Sequence, residues 1–503
     1  MASFILETAL DFIRGWSFST FFLASFIFLF LRWMVTRIRN FPPGPIGLPV
    51  VGYLPFLKGK QTYLHITDLG KKYGNVFSLR LGSRYVVVLN DFKAVKEALS
   101  KDAFLGRPPD IQFRTSEITS VAVSNGIAWK EQRRFSLHAL RDLGFGKTKM
   151  EDHIKEEVNV ILEQLAACKG KPEDLRRLLV PSVSNNISAL VFGRRFDYND
   201  PKRQFLDERL REALESFQQF SLYTFFPWLK HIVLKLRPGI YKKFLTSIEK
   251  LQEFINDEIK THEETLDENN IRDFIDAFLL EMKKRQNKND TSETFNMETL
   301  VGTVQALFGA GSGTVLATVH WLLLTMAVYR NVQERVQKEI DNVIGRERPP
   351  SWSDHTNLPV TRAALMEVYR WQTVAPLSIL RYTLEDTTVQ GYNIPEGTYV
   401  MTNIWAVHHD KAYWKDRELF CPDRFLNQDG TYVEKPEYYI PFSLGKRNCL
   451  GETLAEVEVF LYFTSILQRF TIALPEGVKP NFDATFQLTL EPEHNDFCFF
   501  PRQ

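Results

Sequence analysis

The run Phe442-Ser443-Leu444-Gly445-Lys446-Arg447-Asn448-Cys449-Leu450-Gly451 holds a cysteine between two glycines, with an arginine two residues before it. A cysteine is ordinarily a small buried hydrophobe, but these neighbours call for another reading. Gly445 and Gly451 permit tight turns and close approach of the backbone to a flat ligand. A helical pattern resumes at Glu452 and Leu454, so the free N–H groups of a helix start, and the positive end of its dipole, point back at the sulfur. That setting lowers a thiol pKa and favours the metal-binding thiolate. Arg447 can meet an anionic group of the same ligand. A thiolate loop with glycines and an adjacent guanidinium suits an iron porphyrin with its propionates.

Phe442, Gly445, Arg447, Cys449 and Gly451 together resemble the haem-binding signature of the cytochrome P450 monooxygenases. The resemblance implies haem b (iron protoporphyrin IX) with Cys449 as the axial thiolate, a ligand that favours O–O bond cleavage. Further segments agree in order. Glu367 and Arg370 stand at i and i+3, on one helix face, and resemble the family's ExxR pair. Phe420-Cys421-Pro422-Asp423-Arg424-Phe425 resembles its Pro-x-Arg-Phe element, with Arg424 expected to complete a network with Glu367 and Arg370. By resemblance, Arg107, Trp129, Arg133 and Arg381 join Arg447 around the haem propionates. Trp129 and Arg133 are four apart and share a helix face, and a guanidinium fork suits a carboxylate.

On the oxygen side the chain departs from pattern. Residues 296–328 read as a long apolar helix with Gly302, Gly309, Gly311 and Gly313. Interior helix glycines cost ~1 kcal/mol each relative to alanine, so they call for close approach to a cofactor or to another helix. Ala310-Gly311-Ser312-Gly313-Thr314 resembles the family's distal motif. Thr314 then matches the threonine that hydrogen-bonds dioxygen and steers protons, but the acid that normally precedes it is Gly313. No carboxylate occurs between Glu298 and Glu334. A relay through water, Ser312 or a substrate hydroxyl would have to replace it. The departure keeps open a haem-thiolate isomerase or dehydratase acting on an oxygenated lipid, and a non-catalytic haem-binding protein.

The elements that must hold these residues are mostly helical. Segments 150–168, 204–222, 241–265, 271–285 and 296–344 carry apolar residues at three and four spacing. Short strands are expected within 75–100, around 380–402 and around 484–500, with turns at Gly391-Tyr392-Asn393 and Pro395-Glu396-Gly397. The expected fold is mostly α with small β-sheets, P450-like, after one amino-terminal transmembrane helix. Gly15 to Leu31 is uncharged, and Arg32 near its end can snorkel. Arg37 and Arg39 beyond it leave the body in the cytosol. The expected layout is an anchor over 1–36, a Pro-rich hinge over 37–52 around Phe41-Pro42-Pro43-Gly44-Pro45, and a catalytic haem-binding domain over 53–503. Gly146-Lys147-Thr148 is no P-loop, because Arg141 stands where glycine is needed. The sequons at Asn186 and Asn289 should stay silent on the cytosolic side.

Composition bounds the partners. The 503 residues carry 62 Lys and Arg against 61 Asp and Glu, a net charge of +1, and 44% are hydrophobic. That balance excludes a disordered chain and leaves no basic excess for nucleic acid. Four scattered cysteines make no disulfide scaffold. The Pro-rich segment, the Trp129–Phe135 run, Asp273-Phe274-Ile275-Asp276 and the cysteine loop resemble the animal microsomal clan that handles steroids, fatty acids and xenobiotics. The clan implies the endoplasmic reticulum membrane and electrons from NADPH through NADPH-cytochrome P450 reductase, with cytochrome b5 a further candidate partner. Lys130, Arg134, Arg141 and Lys446 are the candidate basic face for the reductase. Phe220 to Leu229 is an apolar patch that either dips into the bilayer or packs in the core. By matching position, Phe113, Val121, Leu307 and Ala310, with Thr314, Ala375, Ile379 and Phe486, line an apolar pocket for a lipophilic substrate.

Overall fold

In the computed structural model, Asp91 accepts a hydrogen bond from the Ala94 N–H at 2.9 Å and starts a helix over Phe92–Ser100, inside a stretch expected to be strand. The polar cap and the i, i+3 spacing of Phe92, Val95, Ala98 and Leu99 are helix signals that outweigh the local β-branched content. The structure describes residues 39–57, 59–109, 119–144, 148–209, 211–212, 225–226, 238–288 and 294–502, together with 20, 23–25 and 27. The expected anchor lies outside the described residues, except for those last five, which are helical.

The helices in chain order are α1 (Thr62–Tyr73), α2 (Phe92–Ser100), α3 (Gly126–Asp142), α4 (Thr148–Ala167), α5 (Leu175–Phe192), α6 (Pro238–Thr265), α7 (Phe274–Asn287), α8 (Met297–Val328), α9 (Arg330–Val343), α10 (Pro359–Trp371), α11 (Ile404–His408) and α12 (Glu452–Arg469). The sheets are small. The largest joins β1 (Val76–Leu81), β2 (Arg84–Leu89), β7 (Tyr399–Thr402) and β4 (Arg381–Tyr382) in that order. Its β2–β7 pair is parallel, with Val88 opposite Met401, and its other two pairs are antiparallel. Two-stranded hairpins pair β5 (Thr387–Val389) with β6 (Tyr392–Ile394) and β9 (Ala484–Phe486) with β10 (Leu490–Pro492). A third sheet sets β11 (Asp496–Pro501) between β3 (Glu173–Asp174) and β8 (Phe470–Ala473). Neither β3 nor β8 is legible in the sequence, since both are short and earn their conformation from β11.

α8 is the axis of the body. Asn296 caps it by accepting the Thr299 N–H at 2.8 Å, and nearly every side chain from Val315 to Ala327 is buried. Among the described residues it is the one helix long and apolar enough to cross a membrane, and 61% of its most apolar window is packed inside the protein. Such a helix is a core helix. It packs on α5, where a Cβ at Gly311 would stand 2.9 Å from Ile187 Cδ1 and Phe308 meets Phe192 at 6.1 Å. Gly311 therefore answers to helix packing and not to a cofactor. The apolar stretch 296–344 is two helices, because Tyr329 leaves helical geometry at φ −94°, ψ 68°.

The Pro-rich segment is not a free linker. Ser78 on β1 donates its N–H to Pro43 O at 2.7 Å and its hydroxyl to Pro42 O at 2.8 Å. A Cβ at Gly44 would fall 1.8 Å from Ser78 O, so glycine is required for the segment to lie flat on the sheet. Of the apolar patch 220–229, only Phe225 and Phe226 are among the described residues. Phe226 is buried, and Phe225 O accepts the Ser83 N–H at 3.0 Å. Asn186 is also buried, bonded to Glu458 and Tyr462, which closes that sequon for a packing reason.

Candidate active site

The cysteine loop is held by backbone constraints on both sides. Cys449 N–H donates to Phe442 O at 3.0 Å and Asn448 N–H to Gly445 O at 3.1 Å. Gly445 has φ +74°, and a Cβ there would sit 2.3 Å from Leu99 O at the end of α2. Ser443 also adopts a left-handed φ, +65°, without being glycine, a conformation that costs energy and clusters at functional sites. Gly451 has an ordinary φ of −96°, and a side chain there would meet the Cys449 sulfur at 4.0 Å.

Protein surrounds Cys449 closely enough to desolvate its thiol, yet its side chain keeps accessible surface. Its thiol does not carry the depressed pKa that the helix start implies. Burial raises it, and Glu452 adds to the rise, outweighing the Gly451 N–H and Arg133. The helix-terminus effect is present but smaller than the desolvation of a thiolate. A metal ion would reverse the balance, because a coordinated thiol loses its proton outright.

Three arginines from separate elements gather near Arg447 of this loop. Arg133 on α3 donates to Asn448 O at 3.0 Å and to Asn448 Oδ1 at 2.6 Å. Arg107 donates to the carbonyls of Ala122, Ile379 and Leu380. Arg447 donates to Leu105 O and Ser124 O, and its guanidinium lies 4.1 Å from the ring centre of Trp129. Arg381 on β4 makes one long bond, 3.3 Å, to Arg447 O. Among the described residues, none of the four lies within ion-pair distance of a carboxylate. Burial and the other guanidinium groups push Arg107 well down, Arg381 to about 10 and Arg447 to about 9. Arginine stays protonated in proteins, so these depressions measure repulsion. Arg381 Nε and Arg447 Nη1 are buried with no hydrogen-bond partner. Concentrated, unpaired cations with spare donors fit a ligand that carries two carboxylates, as haem does.

The Glu367 network forms as expected. Arg370 Nε and Nη2 meet the two Glu367 oxygens at 2.7 and 2.8 Å, with both side chains fully buried. Arg424 Nε reaches Glu367 Oε1 at 3.0 Å, as does the Cys421 N–H. Remaining donors satisfy His408 O, Arg417 O and Lys415 O, so the network ties α10 to the loop 415–424.

On α8, Thr314 donates its hydroxyl to Ala310 O at 2.7 Å and Ser312 to Phe308 O at 2.8 Å. Ala310 is exposed and Leu307, Gly313 and Thr314 are half-buried, in contrast to the fully buried run from Val315 to Ala327, so this stretch of α8 keeps accessible surface. Ala375, Ile379 and Phe486 are half-buried and Val121 is buried, while Phe113 lies outside the described residues. The proposed basic face is partly spent: Lys446 pairs with Asp102 at 2.6 Å, both exposed. His262, Asp273 and Asp276 have metal-ligand spacing. Yet His262 uses both ring nitrogens, on Glu258 O and Asp273, and Arg272 clamps Asp276, so this is a charge-paired joint between α6 and α7. Sequence reasoning missed Asn125, which accepts the Arg107 N–H at 2.7 Å, and Asn448. No motif marks either, because each acts through the arginine it orients.

Comparison with known proteins agrees with this geometry. A family model described as Cytochrome P450 matches residues 42–499. The chain is 38% identical to Cytochrome P450 2J5 of Mus musculus over 510 residues, covering 100% of both chains. It is 38% identical to Cytochrome P450 2J2 of Homo sapiens, covering 93% of this chain and 92% of that one. Cytochrome P450 18a1 of Drosophila melanogaster is 35% identical, with 93% and 89% covered. With a glycine-bounded cysteine, four unpaired arginines and the Glu367–Arg370–Arg424 network in place, the chain belongs to the cytochrome P450 family and is a P450 monooxygenase.

Proposed function

We propose that Cys449 is the axial ligand of haem b, and that the protein inserts one oxygen atom from dioxygen into a lipophilic substrate of the steroid, fatty-acid or xenobiotic class. The observation that carries this reading is the set of three buried guanidinium groups and the half-buried Arg133, with two spare donors, around a cysteine whose side chain keeps accessible surface. Haem held there supplies dioxygen activation, with electrons from NADPH. The spare donors of Arg381 and Arg447 hold the propionates, and Trp129 stacks behind Arg447. Arg133 orients the loop through Asn448. Arg107, most of whose bonds go to backbone carbonyls, positions Ile379–Arg381 more than it binds. Thr314 Oγ1 donates a hydrogen bond to Ala310 O, which leaves its lone pairs free to accept a hydrogen bond from a proton donor on the accessible side of α8. With no acid at position 313, that proton comes from water or from the substrate.

Residues 1–36 serve as a membrane anchor, 37–52 as a Pro-rich hinge, and 53–503 as the catalytic domain on the cytosolic face of the endoplasmic reticulum. Ile46, Leu48, Val50 and Phe56 are 95%, 46%, 59% and 45% exposed. These exposed apolar side chains, close in sequence to the expected anchor, support a body resting on lipid. NADPH-cytochrome P450 reductase, with cytochrome b5 as an alternative donor, docks on the side of Lys130 and Arg134.

The test is product analysis under isotope-labelled dioxygen with reductase, NADPH and pooled sterols, fatty acids and xenobiotics. One labelled oxygen per product is expected. Unlabelled, NADPH-independent rearrangement would transfer the assignment to an isomerase or dehydratase. In the same assay Gly313→Glu is expected to lower peroxide release per NADPH consumed; unchanged product yield and peroxide would reject the relay reading.

A further inference from the structure

Phe486 ends β9 and stands opposite Leu490 of β10. Leu490 is tied twice. Its N–H donates to Val374 O at 2.7 Å, and its carbonyl accepts the Trp321 indole N–H from α8 at 2.9 Å. The first bond joins the stretch 374–379, which carries Ala375 and Ile379, to the stretch 484–490, which carries Phe486. Backbone bonds thus fix where Phe486 stands, but its ring goes where side-chain packing sends it.

α1 carries none of the residues matched to the site by sequence, yet it supplies that packing. Tyr63, the second residue of the helix, is 7% exposed. Its ring meets Phe486 at 5.7 Å with 65° between the planes, and Trp405 of α11 at 4.7 Å with 68°. Both are edge-to-face pairs, which aromatic rings favour. Burial pushes the Tyr63 phenol up to about 12, so the ring is uncharged. Trp405 is braced in turn. It stacks on His409 at 3.9 Å, and its backbone N–H donates to Pro376 O at 3.1 Å. Asn403 locks the two helices together. Its Oδ1 accepts the Ala406 N–H of α11 at 3.1 Å, and its Nδ2 donates to Thr67 Oγ1 of α1 at 3.0 Å. Thr67 Oγ1 in turn donates to Tyr63 O at 2.8 Å. Tyr63 and Trp405 therefore form one aromatic block against both stretches, reaching 374–379 through Pro376 and 484–490 through Phe486.

We propose that Tyr63 is a positioning residue for the substrate pocket: its ring holds the Phe486 ring in place and so sets which apolar groups fit beside it. The inference rests on Phe486 lining the pocket, as matching position implies. Tyr63 acts on the substrate only through Phe486.

The experiment is a spectral titration of the haem-loaded full chain with imidazole, and with imidazoles that carry a phenyl group on alkyl arms of increasing length. The azole nitrogen ligates the iron and the arm probes the pocket, so the ratio of each affinity to that of plain imidazole reads the pocket wall. Phe486→Ala is expected to lower the ratio for the best-fitting arm about two- to tenfold, the range of a lost aromatic contact. Tyr63→Leu is expected to lower it by a similar factor, and the double variant no further than the larger single effect. Tyr63→Phe, which keeps the ring, is expected to leave it unchanged. Tyr63→Met decides the question if the leucine variant does not fold. A normal ratio in Tyr63→Leu beside a lowered one in Phe486→Ala would overturn the proposal. So would additive losses in the double variant, or a loss in Tyr63→Phe as large as in Tyr63→Leu. If Phe486→Ala changes no ratio, Phe486 does not line the pocket, and the reading beneath the proposal fails first.

Discussion

The arginines around Glu367 and those around Cys449 are buried or half-buried alike, but they are built on opposite principles. Around Glu367, one carboxylate is shared by Arg370 and Arg424, and the remaining guanidinium donors end on carbonyls. The arrangement is complete within the chain. Around Cys449, Arg107, Arg133, Arg381 and Arg447 repel one another with no carboxylate in ion-pair reach among the described residues, and two of their donors have nothing to bond there. The first is a structural joint. The second repels itself until an anion arrives, and so stores part of the binding free energy of a dianionic ligand in the folded protein. Charge that is compensated inside the chain marks fold; charge that is left uncompensated and buried marks a ligand.

The comparison is easiest to break at Glu367. Glu367→Ala strands Arg370 with no counter-charge at full burial, and a broken buried pair costs about 3–5 kcal/mol. That loss is expected in the unfolding midpoint of the apoprotein as well as the loaded protein. An unchanged apoprotein midpoint would show that the network belongs to the ligand after all.

Arg381→Met probes the other side. Arg381 makes one long hydrogen bond and is opposed by its neighbours. Its removal is expected to leave the apoprotein as stable as before or more so, while haem affinity falls roughly 10- to 100-fold, the usual cost of losing a supporting contact at a metal site. Haem titration and apoprotein calorimetry separate the two. A drop in apoprotein stability comparable to that of Glu367→Ala would erase the distinction.

Glu458 sharpens the comparison as a third case, an acid with no cation. Burial lifts it to about 8 against the pull of the Asn186 amide. Because its folded pKa is above its unfolded value, its contribution to stability is fully present below the unfolded carboxyl pKa. It is lost as pH rises from there through about 8. Glu458→Gln keeps the bond from Asn186 and removes the proton linkage. Its melting temperature is expected to overtake that of the unmodified protein between pH 5 and 8, by about 1–3 kcal/mol at the upper end. Parallel pH profiles for the two proteins would reject a buried neutral carboxyl.

Much of the site was legible because its parts are local. The cysteine loop, the Glu367–Arg370 spacing and the Trp129–Arg133 pair each lie within one turn or one helix face, where sequence distance and spatial distance agree. The missed helix over Phe92–Ser100 had its signal in Asp91 and the apolar spacing after it. Asn125 and Asn448 had none, since each matters only through an arginine brought to it from elsewhere. Gly311 was ambiguous for the same reason: only Ile187 opposite it decides between a cofactor and a helix.

The sequence by itself determined which residues are available for ligation, where the helices run and that no acid precedes Thr314, because these depend on composition and on contacts a few residues long. Tertiary structure alone decided the charge states. Among the described residues it brought Arg107, Arg133, Arg381 and Arg447 together without a counterion, and it raised the Cys449 thiol where a helix terminus alone would lower it. Desolvation and through-space repulsion scale with what is packed nearby in three dimensions, and the chain order does not encode that distance.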